Sequence, residues 1–175
     1  MQLSDVLAQY GQPIKRQRGE HLFHQGDNDR ALYVVMQGIL KAYYLSPDGK
    51  EHIKSFLVSG DTIGSLSGYF GDGGCTFNLL CLEDCVLVQV EFERVYEACR
   101  DDLELANEML DFLVRFAMRK ERREFELLCL PAETRFEKLR EEAPELIARV
   151  TQNDIARYLG VTPEGLSRIK RRLRA

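Results

Sequence analysis

Two stretches of this chain carry residue types that could hold an anion, and they would do so by different chemistry. Residues 61–77, DTIGSLSGYFGDGGCTF, contain Gly64, Gly68, Gly71, Gly73 and Gly74. Glycine reaches dihedral angles that other residues avoid, so a loop this rich in it can turn several backbone N–H groups toward one phosphate. A cationic side chain would normally complete such a loop, yet no Lys, Arg or His occurs between Lys54 and Arg94. The second stretch, residues 149–175, has the reverse character. Arg149, Arg157, Arg168, Lys170, Arg171, Arg172 and Arg174 stand against Asp154 and Glu164, a balance of +5 in a chain of net charge −4. A basic tail on an acidic body points the tail at a polyanion.

The basic stretch also has a readable shape. Thr151 can cap a short helix whose apolar positions, Ile155 and Leu159, lie one turn apart. Gly160 breaks that helix, Val161 plugs the angle, and Thr162 caps a second helix with Pro163 at its first position. Leu166, Ile169 and Leu173 form the inner face of the second helix. Its outer face shows Glu164, Ser167, Arg168, Lys170, Arg171 and Arg174. Two short helices joined through a glycine turn, the second basic on its outside, make a helix-turn-helix. Such a second helix enters the DNA major groove, where an arginine can donate two hydrogen bonds to guanine and a glutamate can accept from cytosine N4. Hydroxyls, lysines and helix N-termini would hold phosphates and set the register.

These stretches need elements to position them. Residues 31–36, 39–45, 52–58, 77–82 and 85–91 are β-branched or aromatic-rich runs separated by Gly, Pro and Asp turns. Short strands at this spacing, with no long helical pattern between them, predict a barrel or sandwich rather than a parallel sheet. FERVYEACR reads as a short helix. From Asp101 the chain then runs without Gly or Pro to Pro131, which predicts a helix on the order of 42 Å long. Leu103, Ala106, Leu110, Leu113 and Ala117 form one apolar stripe on it, and Leu105, Met109, Phe112 and Phe116 a second. A helix apolar on two faces needs two partners: its own barrel and, by expectation, the same helix of a second subunit. Lys120 and Glu124 interrupt the pattern. Residues 132–146, AETRFEKLREEAPEL, predict a helix broken before Pro144.

Composition narrows the remaining classes. The chain is 175 residues, 45% apolar and 30% charged, as a folded soluble protein of one or two domains is. No apolar run has the length of a membrane span and the first residues lack a signal-peptide pattern, so the cytoplasm is the expected location and no membrane the expected partner. The five cysteines (Cys75, Cys81, Cys85, Cys99, Cys129) are odd in number and form no CxxC pair, and His21, His24 and His52 lie apart from them. Packed thiols are expected, with no metal and no cofactor. No acid, base and nucleophile pattern suggests catalysis, so an enzyme is not expected.

The order FHQGD, LYVVMQG, GDTIGSLSGYF, long helix, QNDIARYLGVTPEGLSRIKRRL resembles the Crp–Fnr family of bacterial transcription regulators over nearly the whole chain. The resemblance implies an α+β protein: an N-terminal double-stranded β-helix or jelly-roll barrel of the cyclic-nucleotide-binding type over 1–100, a dimerisation helix over 101–130, and an all-α helix-turn-helix domain over 131–175. It implies a homodimer on near-palindromic DNA. Base-reading positions match Glu164 and Arg168, with Pro163 where many members have a polar or basic residue; Thr151, Gln152, Thr162, Ser167 and Lys170 match positions near phosphates.

Two departures from the family pattern bear on function. The chain stops at Ala175, so the β-hairpin wing that usually follows the recognition helix is absent and some backbone contacts are expected to be lost. Nucleotide-binding members also carry Gly-Glu-Leu followed by Arg-Ser or Arg-Thr, the glutamate taking the ribose and the arginine the cyclic phosphate. Here Gly64, Ser65 and Leu66 keep the frame with serine for glutamate, and Cys75 and Thr76 put cysteine where the arginine would be. The long-helix positions that would touch the base fall near Lys120 and Glu121. Losing an arginine–phosphate contact costs about 1.5–3 kcal/mol, so control by cyclic AMP is not expected. Cys75 has no basic neighbour to activate it as a redox sensor. The alternative reading is a ligand-sensing or protein-interaction module with little or no DNA binding, its pocket offering Ser65 and Thr76 to an unidentified small effector.

Overall fold

The computed structural model describes residues 1–173, so Arg174, placed above on the outer helix face, lies outside the described residues. A first helix, α1 (Leu3–Tyr10), precedes eight strands: β1 (Gln12–Arg16), β2 (His21–Phe23), β3 (Ala31–Gln37), β4 (Leu40–Leu45), β5 (Glu51–Leu57), β6 (Thr62–Gly64), β7 (Asn78–Cys81) and β8 (Cys85–Glu91). The short helix α2 (Leu66–Phe70) sits between β6 and β7. Two four-stranded antiparallel sheets, ordered β1-β8-β3-β6 and β2-β7-β4-β5, enclose a core of Phe23, Val35, Leu40, Leu79 and Leu87. This is the expected sandwich-like barrel, built from the five strands the apolar runs announced and three others. Those three are short strands at sheet edges, where Pro13 costs no ladder bond and an unpaired edge stays small.

Helices then wrap the barrel. After α3 (Phe92–Asp101), the 27-residue α4 (Leu103–Cys129) starts at Asp102, whose side chain accepts from the Leu105 N–H at 3.0 Å. The two apolar stripes of α4 separate as expected. Leu105 is buried with Val6, Leu32, Val90 and Val95, and Met109 packs beside them. Leu103, Leu110 and Leu113 of the other stripe stay exposed, at 77%, 58% and 40%, and Val114, outside both predicted stripes, is exposed beside them at 49%. No helix among the described residues is long and apolar enough to cross a membrane.

The chain ends in α5 (Ala132–Glu142), α6 (Pro144–Arg149), α7 (Gln152–Tyr158) and α8 (Pro163–Arg172), with Pro144 opening α6 where a break was expected. Their core is shared with the barrel: Phe136, Val150, Ile155, Leu159, Leu166 and Ile169 pack against Ile39, Phe56 and Leu82. α7 lies along β5, the last strand of its sheet.

Candidate nucleic-acid interface

The helix-turn-helix forms from local signals. The Thr151 hydroxyl accepts from the Asp154 N–H at 3.1 Å and donates to Asp154 Oδ2 at 2.7 Å, so it fixes both the backbone and the side chain of the first turn of α7. At the other end Gly160 has φ +68°, the left-handed conformation that ends helices. Its N–H bonds the Arg157 carbonyl at 3.3 Å, and the Val161 N–H bonds the Ala156 carbonyl at 3.0 Å. These two bonds satisfy carbonyls a helix end would otherwise leave open. The Thr162 hydroxyl then accepts from Gly165 N–H at 3.1 Å and Pro163 opens α8.

Burial follows the same pattern. Ile155, Ala156, Leu159, Leu166 and Ile169 point inward. Thr151, Gln152, Thr162, Glu164, Ser167, Arg168 and Arg171 are exposed together, while Lys170 is half-buried. Lys170 donates to Gln152 Oε1, and its ammonium sits 5.5 Å from the Phe136 ring centroid. Gln152, Pro163, Ser167, Lys170 and Arg171 line one shallow depression of about 350 Å³ where the N-terminus of α7 meets α8. Of the residues expected at phosphates, Gln152, Ser167 and Lys170 thus lie together at one depression, while Glu164 and Arg168, expected at bases, are exposed on α8.

Sequence reasoning missed how this unit is held to the barrel. Lys41 on β4, only 5% exposed, bonds Asp154 on α7 at 3.1 Å and Glu51 on β5 at 3.2 Å. Glu51 also accepts from Arg157 at 2.7 Å, and Arg149 pairs with Glu83 at 2.9 Å. The one available signal was Lys41 itself, a lone charge inside the apolar run ILKAYYL.

The glycine-rich loop is built on packing. Ser65 is 5% exposed and caps α2, its hydroxyl accepting from Gly68 N–H at 3.1 Å. Cys75 is 2% exposed and its thiol lies 3.7 Å from the Asp29 carbonyl it donates to. A Cβ on Gly68 would stand 2.6 Å from that same carbonyl oxygen and 3.0 Å from Cys75 Sγ. Gly74, at φ +76°, passes so close to Gly26 that a Cβ would meet its carbonyl oxygen at 2.5 Å. Gly64 lies in β6, and Leu66 and Thr76 face solvent. Close backbone approach accounts for Gly68, and close approach together with a left-handed backbone accounts for Gly74.

Residues 13–102 match the family model of the cyclic nucleotide-binding domain. Along 97% of its length the chain is 29% identical to the transcriptional activator protein Anr of Pseudomonas protegens, covering 72% of that protein. It is 26% identical to the fumarate and nitrate reduction regulatory protein of Vibrio cholerae, over 94% of this chain and 69% of that one. The fold superposes on FixK2 of Bradyrhizobium japonicum with a TM-score of 0.81 at 20% identity, covering 94% and 84% of the two chains.

The chain belongs to the Crp–Fnr family. In this Crp–Fnr protein the glycine-rich loop carries a helix cap at Ser65 and a packed thiol at Cys75.

Proposed function

We propose that this protein is a sequence-specific DNA-binding transcription regulator that works as a homodimer in the cytoplasm and is not controlled by cyclic AMP. The observation that carries the reading is the exposed face formed by Thr151, Gln152, Thr162, Glu164, Ser167, Arg168 and Arg171, with Lys170 at its margin. Its geometry suits α8 in a major groove: Arg168 and Glu164 at base edges, the threonines, Gln152, Ser167, Lys170 and Arg171 at phosphates. The relatives are themselves named as regulators, Anr as a transcriptional activator.

The second subunit is assigned to the exposed stripe of α4. Leu110, Val114 and Met118 repeat every fourth residue and are 58%, 49% and 62% exposed, a seam that a second copy would bury. Gly64, Ser65, Leu66, Cys75 and Thr76 remain the frame of a nucleotide cassette, but Ser65 and Cys75 supply neither a carboxylate for a ribose nor a cation for a phosphate.

Selection of bound DNA from a random pool with the purified chain tests the proposal. The expected product is a two-fold-symmetric site whose half-sites are about one helical turn apart, bound more weakly as salt rises. Arg168→Ala should flatten base preference at one position per half-site; Arg171→Ala should weaken all sequences alike and lower the salt slope by about one. Recovery of no motif over input DNA at low salt, from a protein shown to be folded and dimeric, would overturn the reading.

A further inference from the structure

A titratable ring borders the ion network that ties the helix-turn-helix to the barrel. His21 on β2 pairs with Leu80 on β7, and Leu80 pairs with Lys41 on β4. Residues paired directly across antiparallel strands share a face, so His21 and Lys41 stand in one row. Phe56, the next residue of that row, packs in the core of the C-terminal helices, so this is the face those helices cover. Two strand spacings, about 9.5 Å, separate His21 from Lys41. The Tyr43 ring touches both: its hydroxyl lies 3.0 Å from His21 Nε2, and its centroid 4.9 Å from the Lys41 ammonium. The His24 ring stacks on His21 with centroids 4.2 Å apart.

The charges around His21 balance without it. β4 brings Lys41, β5 Glu51, α7 Asp154 and Arg157, and the turn after β2 His24 with Asp27; Leu80 of β7 adds none. Lys41 bonds both Glu51 and Asp154, and Arg157 bonds Glu51, so both carboxylates are already engaged. A proton on His21 therefore adds a positive charge beside Lys41 with no idle acid to receive it. It also reverses a hydrogen bond. A neutral ring can accept at Nε2 from the Tyr43 hydroxyl, whereas a protonated ring only donates there, and the hydroxyl must turn its own proton away. Burial, then His24 and Lys41, hold the His21 ring below its ordinary 6.5, with Glu51 opposing them.

We propose that His21 is an acid-sensitive switch at the junction of barrel and helix-turn-helix: a proton on its ring pushes against Lys41, weakens the hold of Lys41 on Asp154, and lets α7 part from β4 and β5 more readily. At neutral pH the ring is uncharged and the junction stays closed. The folded chain binds this proton less readily than the unfolded chain does. The contribution of the neutral ring to stability is therefore complete above 6.5 and is lost as pH falls below that value. Nothing in this switch requires DNA, and its test contains none.

Proton NMR titration of the imidazoles and hydrogen–deuterium exchange of α7, on the full chain between about pH 7.5 and about pH 5, decide the matter. The His21 ring, assigned through its contacts with the Tyr43 and His24 rings, should titrate below 6.5. It should titrate higher in His24→Gln, which removes one repelling neighbour. Exchange of residues 152–159, corrected for its intrinsic rate, should rise about two- to fivefold in the wild type on acidification. That is the size expected for two unit charges about 9.5 Å apart in a medium between a protein surface and water. His21→Gln should show no such rise, and neither should the combined Lys41→Met and Asp154→Leu variant, since each lacks one side of the repulsion. His52→Gln, at an exposed position of β5, should keep it. A His21 ring titrating at or above 6.5 overturns the proposal. So does exchange of α7 that fails to rise in the wild type, or that rises equally in His21→Gln or in the combined variant.

Discussion

Replacing Lys41 and Asp154, singly and together, tests whether the helix-turn-helix and the barrel form one cooperative unit. The two side chains are 6% and 8% exposed and 3.1 Å apart, on elements 113 residues distant in sequence. Breaking a buried pair from one side leaves an uncompensated charge and costs roughly 3–5 kcal/mol. Lys41→Met strands Asp154 with the Thr151 hydroxyl as its remaining side-chain donor. Asp154→Leu leaves Lys41 with Glu51, which is 27% exposed and shared with Arg157. Each single change should therefore cost about 3 kcal/mol, at the low end of that range. The double change removes both charges, leaves Glu51 paired with Arg157, and should recover most of the loss, because an apolar replacement of a buried pair is often nearly neutral. Urea denaturation followed by far-ultraviolet circular dichroism measures all four proteins at neutral pH. The expected coupling is at least about 2 kcal/mol, with the double variant unfolding in a single transition. Single changes that add to within about 0.5 kcal/mol would refute the reasoning.

Two further outcomes follow from the same geometry. Lys54→Met should stabilise the protein at neutral pH by at least about 1 kcal/mol. The Lys54 ammonium titrates near 8 when folded and near 10.5 when unfolded, so its burial destabilises fully below pH 8 and the penalty is relieved as pH rises between these values. The advantage of the variant should accordingly shrink toward pH 10, as read from denaturation midpoints across that range. Thr162→Ala removes the hydroxyl that caps α8 and should cost about 1 kcal/mol in the same assay, while Thr162→Asn should restore most of it.

The helix-turn-helix was legible because its signals are local. Thr151, Gly160, Thr162 and Pro163 act on backbone groups within a turn of themselves, so their identity and spacing suffice. The five apolar strands and the two stripes of α4 were legible for a related reason, since periodicity records which side must leave water. The strands β1, β2 and β6 were not, because a three-residue or proline-bearing edge exists only through its pairing with β7, β3 or β8.

The anion chemistry shows the same division most clearly. Residue types alone establish that residues 61–77 lack a cation; the family resemblance implies that Ser65 and Cys75 stand where a cyclic nucleotide would need a glutamate and an arginine. They do not show that Ser65 is spent on capping α2 or that Cys75 is packed beneath Gly68. Nor does strand alternation foresee the bulge that turns Lys54 over Phe77. Lys120, an interruption in the α4 pattern, acquires its place only when that helix lies against the barrel and brings it beside Lys54. Capping, turning and periodic burial are short-range physics, written within a few residues. The meeting of Lys41 with Asp154, or of Lys54 with Lys120, depends on distant segments packing in one register, and only the tertiary structure decides that.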